Sequence, residues 1–327
     1  MKISIEKLAL SAEKLPASID RELHEYIASY CGVKASDILD YAIVRRSIDA
    51  RKQPDVKLVY SLTADLKDSA RPKRSLEPAA PDMPFDMPSF SYAEPPLHPV
   101  IVGAGPAGLF CALILAMAGC KPVILDRGRD VGRRKNDIDR FLQTRELNEE
   151  SNLLFGEGGA GTWSDGKLFT RIRDPRIRFV LREMIAAGAP EGIAYYSHPH
   201  VGSDLLPQVI AGLREKIISL GGIFRWNTRA DGLLVRDGIC RGVRLADGEN
   251  LEAPLVVNAC GHSAREFILS VIDAGAAYRM KGFQIGCRIE HPQDFINWFQ
   301  FGIQETLPAL GSAEYNLVSR PSPDGRT

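Results

Sequence analysis

Hydrophobic and polar positions in the first 70 residues predict a small unit that mixes strands and helices. KISIEKLAL alternates apolar and polar residues like a half-buried strand, whereas IDRELHEYIASY repeats its apolar residues at helical spacing. Ser36 is placed to cap a second short helix, DILDYAI. VRRSIDARK and DVKLVYSLTADL then alternate as two further strands joined by a polar turn. These patterns predict a small α/β N-terminal domain over residues 1–70.

A proline-rich stretch separates this unit from the rest of the chain. Residues 71–97 show little apolar periodicity and favour a semi-extended linker. From residue 98 the pattern turns to strand, glycine loop and helix, and it stays α/β to residue 275. Residues 276–327 alternate polar and apolar positions and predict the beginning of a β-rich substrate domain. The sequence stops in a turn-like PSPDGRT, so we expect this last domain to be incomplete and the chain to be truncated.

A glycine loop follows the first apolar strand of the α/β region. VIVGAGPAGLF places Gly103, Gly105 and Gly108 in the GxGxxG pattern. The first glycine permits a tight turn, the second lets backbone approach a pyrophosphate, and the third lets helix pack on strand. A second strand, PVILD, ends at Asp126, where a carboxylate can accept hydrogen bonds from a ribose diol. Strand, loop, helix and acid together predict a dinucleotide site.

Two further stretches imitate phosphate loops without the necessary surroundings. GEGGAG also fits GxGxxG, but the TWSDGK behind it does not begin a helix. GTWSDGK resembles the GxxxxGK phosphate loop, but Leu168 stands where Ser or Thr would ligate magnesium. Neither stretch predicts a nucleotide-hydrolysing site.

The order of elements after residue 200 distinguishes a flavin from a nicotinamide dinucleotide. An amphipathic helix, DLLPQVIAGLREKIISL, is expected to be capped by Ser203. Three short strands follow, divided by predicted Asp-Gly turns at Asp231, Asp237 and Asp247. LVVNACGH then has the pattern of a buried strand that ends in glycine. A nicotinamide Rossmann domain would instead continue in short strand and helix steps.

This order resembles the glutathione-reductase-type flavoproteins, in which a β-meander interrupts the dinucleotide domain. The chain also resembles a bacterial family of FAD-dependent dehydrogenases in RRSIDARK, FGEGGAGTWSDGKLFTR, HVGSD, CGHSARE and GCRIEHPQ. The likeness covers nearly the whole chain. It implies a Rossmann-like FAD-binding domain with an inserted β-meander, between a small α/β domain and the start of a β-rich substrate domain. The flavoprotein Ala-Thr-Gly triplet is Ala259-Cys260-Gly261 here.

The resemblance also implies which residues bind FAD. The glycine loop would hold the pyrophosphate, Asp126 the adenosine ribose, and the segment 158–167 would approach the flavin. The expected cofactor residues are Gly103, Gly105, Pro106, Ala107, Gly108, Asp126, Arg127, Gly158, Gly159, Gly161, Thr162, Asp165, Lys167 and Gly261. A lysine such as Lys167 near flavin N1 would stabilise the reduced anion.

Several histidines and one serine have a structural explanation beside a functional one. His198 and His200 lack a third ligand at metal spacing, so we expect them to pack and expect no metal. Ser263 is placed to cap the helix AREFILSVI, and His262 is a candidate proton donor. No residue identifies itself as the catalytic acid or base.

Composition bounds the partners and the compartment. Lys plus Arg and Asp plus Glu each number 41, so no net charge draws the chain to nucleic acid or an anionic membrane. RGRDVGRRK would contact a dinucleotide phosphate or form a solvated loop, and the arginines of RRSIDARK are expected on the solvated side of a strand. The six cysteines form no CxxC pair, which favours free thiols in a reducing compartment. MKISIEKLAL does not resemble a signal peptide, so we expect a cytoplasmic protein.

These observations favour an FAD-dependent oxidoreductase. It would transfer hydride between an unknown small-molecule substrate, or NAD(P)H, and flavin N5. We expect neither nucleic acid nor membrane as a partner. Two alternatives stay open: a flavin-binding sensor or scaffold without turnover, and an NAD(P)-dependent dehydrogenase.

Overall fold

The computed structural model describes residues 1–79, 97–163, 166–168, 170, 172, 174–282, 285–287 and 289–315. Their contacts divide the chain into two compact units. The first contains the described residues among 1–83, 195–197 and 283–327, and the second those among 84–194 and 198–282. Most of the predicted linker 71–97 lies outside the described residues. The predicted domain boundaries stay predictions.

An antiparallel sheet organises the first unit, in the order β2–β3–β1–β4. Its strands are β1 (Lys2–Ser11), β2 (Ile38–Asp49), β3 (Lys57–Leu66) and β4 (Glu77–Pro78). Every second residue of β3, beginning with Leu58, is buried, as period-two alternation requires. Helix α1 (His24–Cys31) buries Ile27 and Cys31 in the same core.

The prediction of a second helix over DILDYAI is wrong. A single 3₁₀ turn, Ala35–Asp37, contains Ser36, and β2 begins directly after it at Ile38. Tyr41 pairs with Ala64 of β3, so the stretch is held by cross-strand contacts. Isoleucine, tyrosine and valine favour a pleated surface, and pairing with β3 outweighs the weak helical spacing.

A polar cluster around Asp20 lies at the β2 edge of this sheet. The Asp20 carboxylate accepts hydrogen bonds from Arg46 Nη1 at 2.9 Å, Tyr60 Oη at 2.8 Å and Tyr195 Oη at 3.1 Å. Residues 195–197 extend the sheet beyond β2, because the N–H and C=O of Arg46 bond to Tyr195 O and Ser197 N. The prediction of a solvated Arg46 is wrong, since its side chain is 10% exposed within this ion pair.

A parallel sheet, β11–β5–β6–β7, forms the centre of the second unit. Its strands are β5 (Val100–Val102), β6 (Val123–Leu125), β7 (Ile223–Arg225) and β11 (Val256–Asn258). Its helices up to β7 are α2 (Pro106–Met117), α3 (Val131–Thr144), α4 (Arg176–Ala186) and α5 (Leu206–Ser219). Apolar residues of α2 and α5 share one core with Ile101 and Ile124 of the sheet. The predicted mixed α/β fold with a Rossmann-like parallel sheet is confirmed.

An antiparallel meander separates β7 from β11. Its strands are β8 (Ala230–Arg236), β9 (Ile239–Leu245) and β10 (Asn250–Glu252), in the order β10–β9–β8. Asp237 and Asp247 lie in turns between these strands, as predicted. Asp231 lies inside β8 instead, because the apolar residues before it belong to β7 of the parallel sheet.

Two predicted helix caps are wrong. Helix α5 has Leu205 at its N-cap rather than Ser203, and α6 (Arg265–Asp273) has Ala264 rather than Ser263. Neither cap residue accepts a side-chain hydrogen bond. Helix α5 begins two residues after the position that a Ser203 cap requires, and α6 begins one residue after the position that a Ser263 cap requires.

Residues 276–315 differ from the expected β-rich beginning of a domain. Their described part contains helix α7 (Gln293–Phe301) and no strand. The aromatic residues of α7 recur at helical rather than alternating spacing. Among the helices of the described ranges, none is long and apolar enough to cross a membrane.

Candidate dinucleotide site

A cavity of about 460 Å³ opens at the carboxyl ends of β5, β6 and β11. The last residues of these strands, Val102, Leu125 and Asn258, line it. The rest of the lining comes from the start of α2, the residues after β6, residues within 154–160, the start of β8 and the approach to α6. Crevices at the carboxyl ends of parallel strands are where α/β sheets bind dinucleotides.

Packing requires two glycines of the first glycine loop, residues 103–108. Gly103 has a φ of +105°, and a methyl group there would lie 2.4 Å from Ala259 O. A methyl group on Gly108 would lie 1.9 Å from Gly103 O, so only glycine lets α2 lie this close to β5. Gly105 differs, because a methyl group there would approach nothing nearer than Gly159 Cα at 3.9 Å. The space beside Gly105 therefore belongs to the cavity.

The second glycine loop, residues 156–161, packs against the first. Gly158 N donates a hydrogen bond to Ala104 O at 2.8 Å. Gly156, Gly158 and Gly159 all have left-handed backbone, a conformation that glycine adopts without strain. Gly159 and Ala160 line the cavity. The two glycine-rich backbones thus share one wall of the cavity, and such backbones present amide groups to an anionic ligand.

A buried acid lies beneath the first glycine loop. Asp126 Oδ2 accepts a hydrogen bond from Ala104 N and Oδ1 accepts one from Gly128 N, both at 2.8 Å. Burial raises the pKa of this carboxyl above its ordinary value, and the amide donors oppose that effect. Asp126 therefore fixes the loop, and it also lines the cavity.

An ion-paired arginine forms part of the cavity wall. Arg127 Nε donates to Glu150 Oε2 at 2.6 Å, and its guanidinium lies 4.2 Å from the centre of the Phe155 ring. Glu266 lies 3.8 Å from the same guanidinium. The hydrogen bond from Arg127 lowers the pKa of Glu150. The arginine is therefore held in place before any ligand arrives.

The residues after β11 bring a polar pair into the cavity. Ser263 Oγ lies 2.9 Å from His262 Nδ1, and both residues line the cavity. Cys260 lines it as well, and burial raises the pKa of its thiol. A thiol with a raised pKa stays protonated at neutral pH and is a weak nucleophile. A proton-donor role for His262 stays a prediction.

The structure brings most of the predicted cofactor residues to this one cavity. Those that line it are Gly103, Gly105, Pro106, Ala107, Asp126, Arg127, Gly159 and Gly261. Those outside its lining are Gly108, Gly158, Gly161, Thr162 and Lys167. Lys167 forms a β-bridge with His200, and Thr162 Oγ1 donates to Glu157 O at 3.2 Å. Asp165 lies outside the described residues, and contact between FAD and any of these residues stays a prediction.

Sequence reasoning missed the residues that support the second glycine loop. Arg134 and Glu157 are both fully buried, and Arg134 donates hydrogen bonds to the loop's carbonyl oxygens. The basic cluster RGRDVGRRK was expected to be a solvated loop or a phosphate contact. Its later residues enter α3, whose N-cap Asp130 accepts hydrogen bonds from Gly132 N and Arg133 N, whereas Arg127 lines the cavity and its phosphate contact stays a prediction. The Asp130 cap signal was present in the sequence, but burial of one arginine among several was not.

Comparisons with known protein families agree with this geometry. Residues 101–155 match the model of an NAD(P)-binding Rossmann-like domain, and residues 282–327 match that of the FAD-dependent protein, C-terminal domain-like family. The chain is therefore similar to FAD-dependent proteins, and FAD is the cofactor that these matches support. Residues 2–65 match a domain of unknown function, DUF8436.

Individual relatives differ in how much of the chain they cover. An uncharacterized protein from Clostridium beijerinckii is 38% identical over 320 residues, which are 95% of this chain and 60% of that protein. The chain therefore spans about 60% of the length of that relative. Phytoene desaturase (neurosporene-forming) from Cereibacter sphaeroides is 32% identical over 102 residues, 27% of this chain and 19% of that protein. The crystal structure of Thermovibrio ammonificans THI4 aligns at 17% identity and a TM-score of 0.36, over 56% of this chain and 64% of that one.

The size of the cavity suits a dinucleotide. Its volume lies within the range of about 300–1,000 Å³ that small-molecule and cofactor sites occupy. Gly261 lines it, and a methyl group added there would meet nothing within 4 Å. Bare backbone at Gly105, Gly159 and Gly261 therefore leaves room along the carboxyl ends of the strands.

Proposed function

We propose that this chain binds FAD non-covalently and in extended form, and that it functions as an oxidoreductase. The observation that carries the proposal is the cavity at the carboxyl ends of β5, β6 and β11, with Gly105 and Gly159 side by side in its wall. A pyrophosphate in the gap beside Gly105 would accept hydrogen bonds from backbone amides. It would also lie at the positive N-terminal end of α2, which favours an anion.

Each part of the cavity has a role in this proposal. The first glycine loop holds the pyrophosphate, with Gly105 and Ala107 nearest to it and Gly108 keeping α2 close to β5. Asp126 accepts hydrogen bonds from the adenosine ribose while it holds Ala104 N and Gly128 N. Arg127 forms the wall beside the adenosine, and Gly261 lies along the cofactor. In this proposal the described residues of the segment 158–167, among them Lys167, approach the flavin.

We propose hydride transfer as the reaction. Bound FAD supplies the hydride-accepting atom, N5, and the protein supplies orientation and electrostatics. The hydride comes from a small-molecule substrate or from NAD(P)H. In this proposal the partners include neither nucleic acid nor membrane, and the location is the cytoplasm. The free state of all six cysteines suits such a reducing compartment.

The visible spectrum of the purified chain, with mass identification of the released nucleotide, tests this proposal. We expect yellow protein that releases FAD. Gly105→Asp should abolish FAD retention, because it puts a carboxylate into the gap proposed for the pyrophosphate. Gly282→Asp is the matched control, since a methyl group there would also meet nothing within 4 Å and Gly282 lies outside the cavity lining.

Two results would overturn the proposal. The first is unchanged FAD content in Gly105→Asp, which would refute the assignment of the site. The second is colourless wild-type protein that takes up no added FAD, which would refute FAD binding by this chain. Once FAD is bound, its reduction by NADH and by NADPH tests the reaction, and FAD that neither reduces would favour a sensor.

A further inference from the structure

The second glycine loop carries one fully buried carboxylate, that of Glu157. Its Oε2 accepts hydrogen bonds from Val131 N, at the start of α3, and from Arg214 Nη1 on α5, both at 2.6 Å. Its Oε1 has no hydrogen-bond partner among the described residues. A charge in the protein interior is costly unless it is paired and fully hydrogen-bonded. Glu157 therefore joins α3, α5 and the loop through one carboxylate, of which only one oxygen is hydrogen-bonded among the described residues.

Arg134 holds the same loop by its carbonyl groups. This buried side chain donates from Nη1 to Glu157 O at 2.6 Å and to Gly159 O at 2.8 Å. In a planar trans peptide the N–H points opposite to the C=O. The N–H of Gly158 accordingly points away from Arg134 and reaches Ala104 O. The N–H of Ala160 also points away from Arg134, and Ala160 lines the cavity.

The fold does not favour a charge on Glu157. Burial raises the pKa of Glu157 to about 7, although the Val131 amide and Arg214 both lower it. The surroundings therefore disfavour the carboxylate more than its partners stabilise it, and the charged pair with Arg214 is held at a cost. This charge lies beneath a wall of the cofactor cavity. A role in that cavity would explain why a charged residue stands at this buried position.

We propose that Glu157 is a positioning residue for the dinucleotide. Paired with Arg214, it holds the second glycine loop so that the loop's amides reach the phosphates in the gap beside Gly105. This inference rests on the proposed FAD site. The charged groups around Glu157 are Arg214 on α5, with Arg134 and the cap residue Asp130 of α3. Protonation of Glu157 weakens the Arg214 pair and with it the hold on the loop.

FAD titration of the apoprotein between pH 6 and 8.5 tests this role. We expect wild-type affinity to fall roughly tenfold toward pH 6, within the usual range of coupling between two sites. Glu157→Gln keeps an acceptor for Val131 N and loses the charge. It should bind FAD about tenfold more weakly at pH 8.5 and lose this part of the pH dependence. By reciprocity, FAD should lower the pKa of Glu157 and release protons that the variant does not release.

Glu183→Gln is the matched control. Glu183 is also a buried glutamate paired with a cation on α5, Lys216, but it lies on α4 outside the cavity lining. Its substitution should leave FAD affinity and its pH dependence unchanged. The difference between wild type and Glu157→Gln at each pH is the quantity compared.

Two results overturn the inference. Equal FAD affinity of wild type and Glu157→Gln at every pH means that the charge has no role. Tighter binding by the variant means that the carboxylate acts by direct repulsion of the phosphates. If Glu157→Gln does not fold, Arg214→Gln removes the same ion pair from the other side and should weaken FAD binding alike. Wild-type protein that binds no FAD would instead refute the proposed function itself.

Discussion

Alanine at Gly108 and alanine at Gly105 should have different consequences, because the two glycines have different neighbours. The methyl group of Gly108→Ala would lie 1.9 Å from Gly103 O and 3.0 Å from Gly103 C. These are backbone atoms that cannot rotate away, so α2 or the loop must shift. Overpacking of this kind costs about 1–3 kcal/mol, and we expect the upper end here. For a unit of this size, about 3 kcal/mol lowers Tm by roughly 6–12 °C.

Gly105→Ala should instead fold normally and bind FAD poorly. Its φ of −72° suits any residue, and its methyl group would lie 3.9 Å from Gly159 Cα. Loss of glycine at this N-cap position costs under about 1 kcal/mol. The methyl group would nevertheless occupy the gap proposed for the pyrophosphate. We expect FAD affinity to fall at least about tenfold, which is about 1.4 kcal/mol of binding free energy.

Thermal unfolding of the two apoproteins by circular dichroism, with FAD titration by flavin fluorescence, separates these effects. Gly108→Ala should lose stability before FAD enters the experiment, and Gly105→Ala should lose affinity at nearly wild-type stability. Wild-type stability in Gly108→Ala would refute the packing argument. Equal loss of stability in both variants would refute the distinction between a packing glycine and a site glycine.

Three further predictions concern buried polar groups. The pKa of Glu157 is raised from 4.5 to about 7, so the folded state binds its proton more tightly than the unfolded chain. The free energy of unfolding should fall by about 3 kcal/mol as pH rises from 4.5 to 7, and urea unfolding of Glu157→Gln should lack this part of the fall. Asp20→Ala leaves Arg46 buried without its carboxylate and should cost about 3–5 kcal/mol in urea unfolding, whereas Tyr60→Phe should cost about 1 kcal/mol. Asp126→Asn should weaken FAD binding in titration, because an amide replaces one acceptor oxygen by a donor.

Each of these predictions has a result that contradicts it. Parallel pH dependence of unfolding in wild type and Glu157→Gln would show that another group titrates. Equal costs of Asp20→Ala and Tyr60→Phe would show that Arg46 finds another partner. Wild-type FAD affinity in Asp126→Asn would show that neither its charge nor its second acceptor oxygen contributes to the cofactor site.

Local turn chemistry made much of the fold predictable. The glycine loop, the acid after β6 and the turns at Asp237 and Asp247 depend on neighbours a few residues away, and all lie where the sequence puts them. The first part of β2, residues 38–43, was not predictable in this way, because its pairing with β3 is a tertiary contact. The predicted turn at Asp231 is wrong for the same reason, since the residues of β7 before it pair in parallel with β6.

The candidate site was predictable on one side and not on the other. Sequence motifs indicated the first glycine loop and Asp126, whose spacing reflects one strand, one helix and the next strand. The support beneath the second glycine loop depends on which arginine of RGRDVGRRK is buried. The buried arginine is Arg134, because its side chain donates hydrogen bonds to carbonyl groups of a loop that is distant in sequence. No periodicity within the cluster carries that information.

Residues 195–197 make the first unit discontinuous along the chain. Arg46 and Tyr196 are 150 residues apart, yet they bond side by side at the edge of one sheet. Without the later segment β2 would present an unpaired edge, which is a template for aggregation. During synthesis Arg46 cannot pair with this segment until residues 195–197 have been made. Closing the loop of 150 residues between Arg46 and Tyr196 is slow. The N-terminal strands therefore do not form a self-contained module that a single cut after them would release intact.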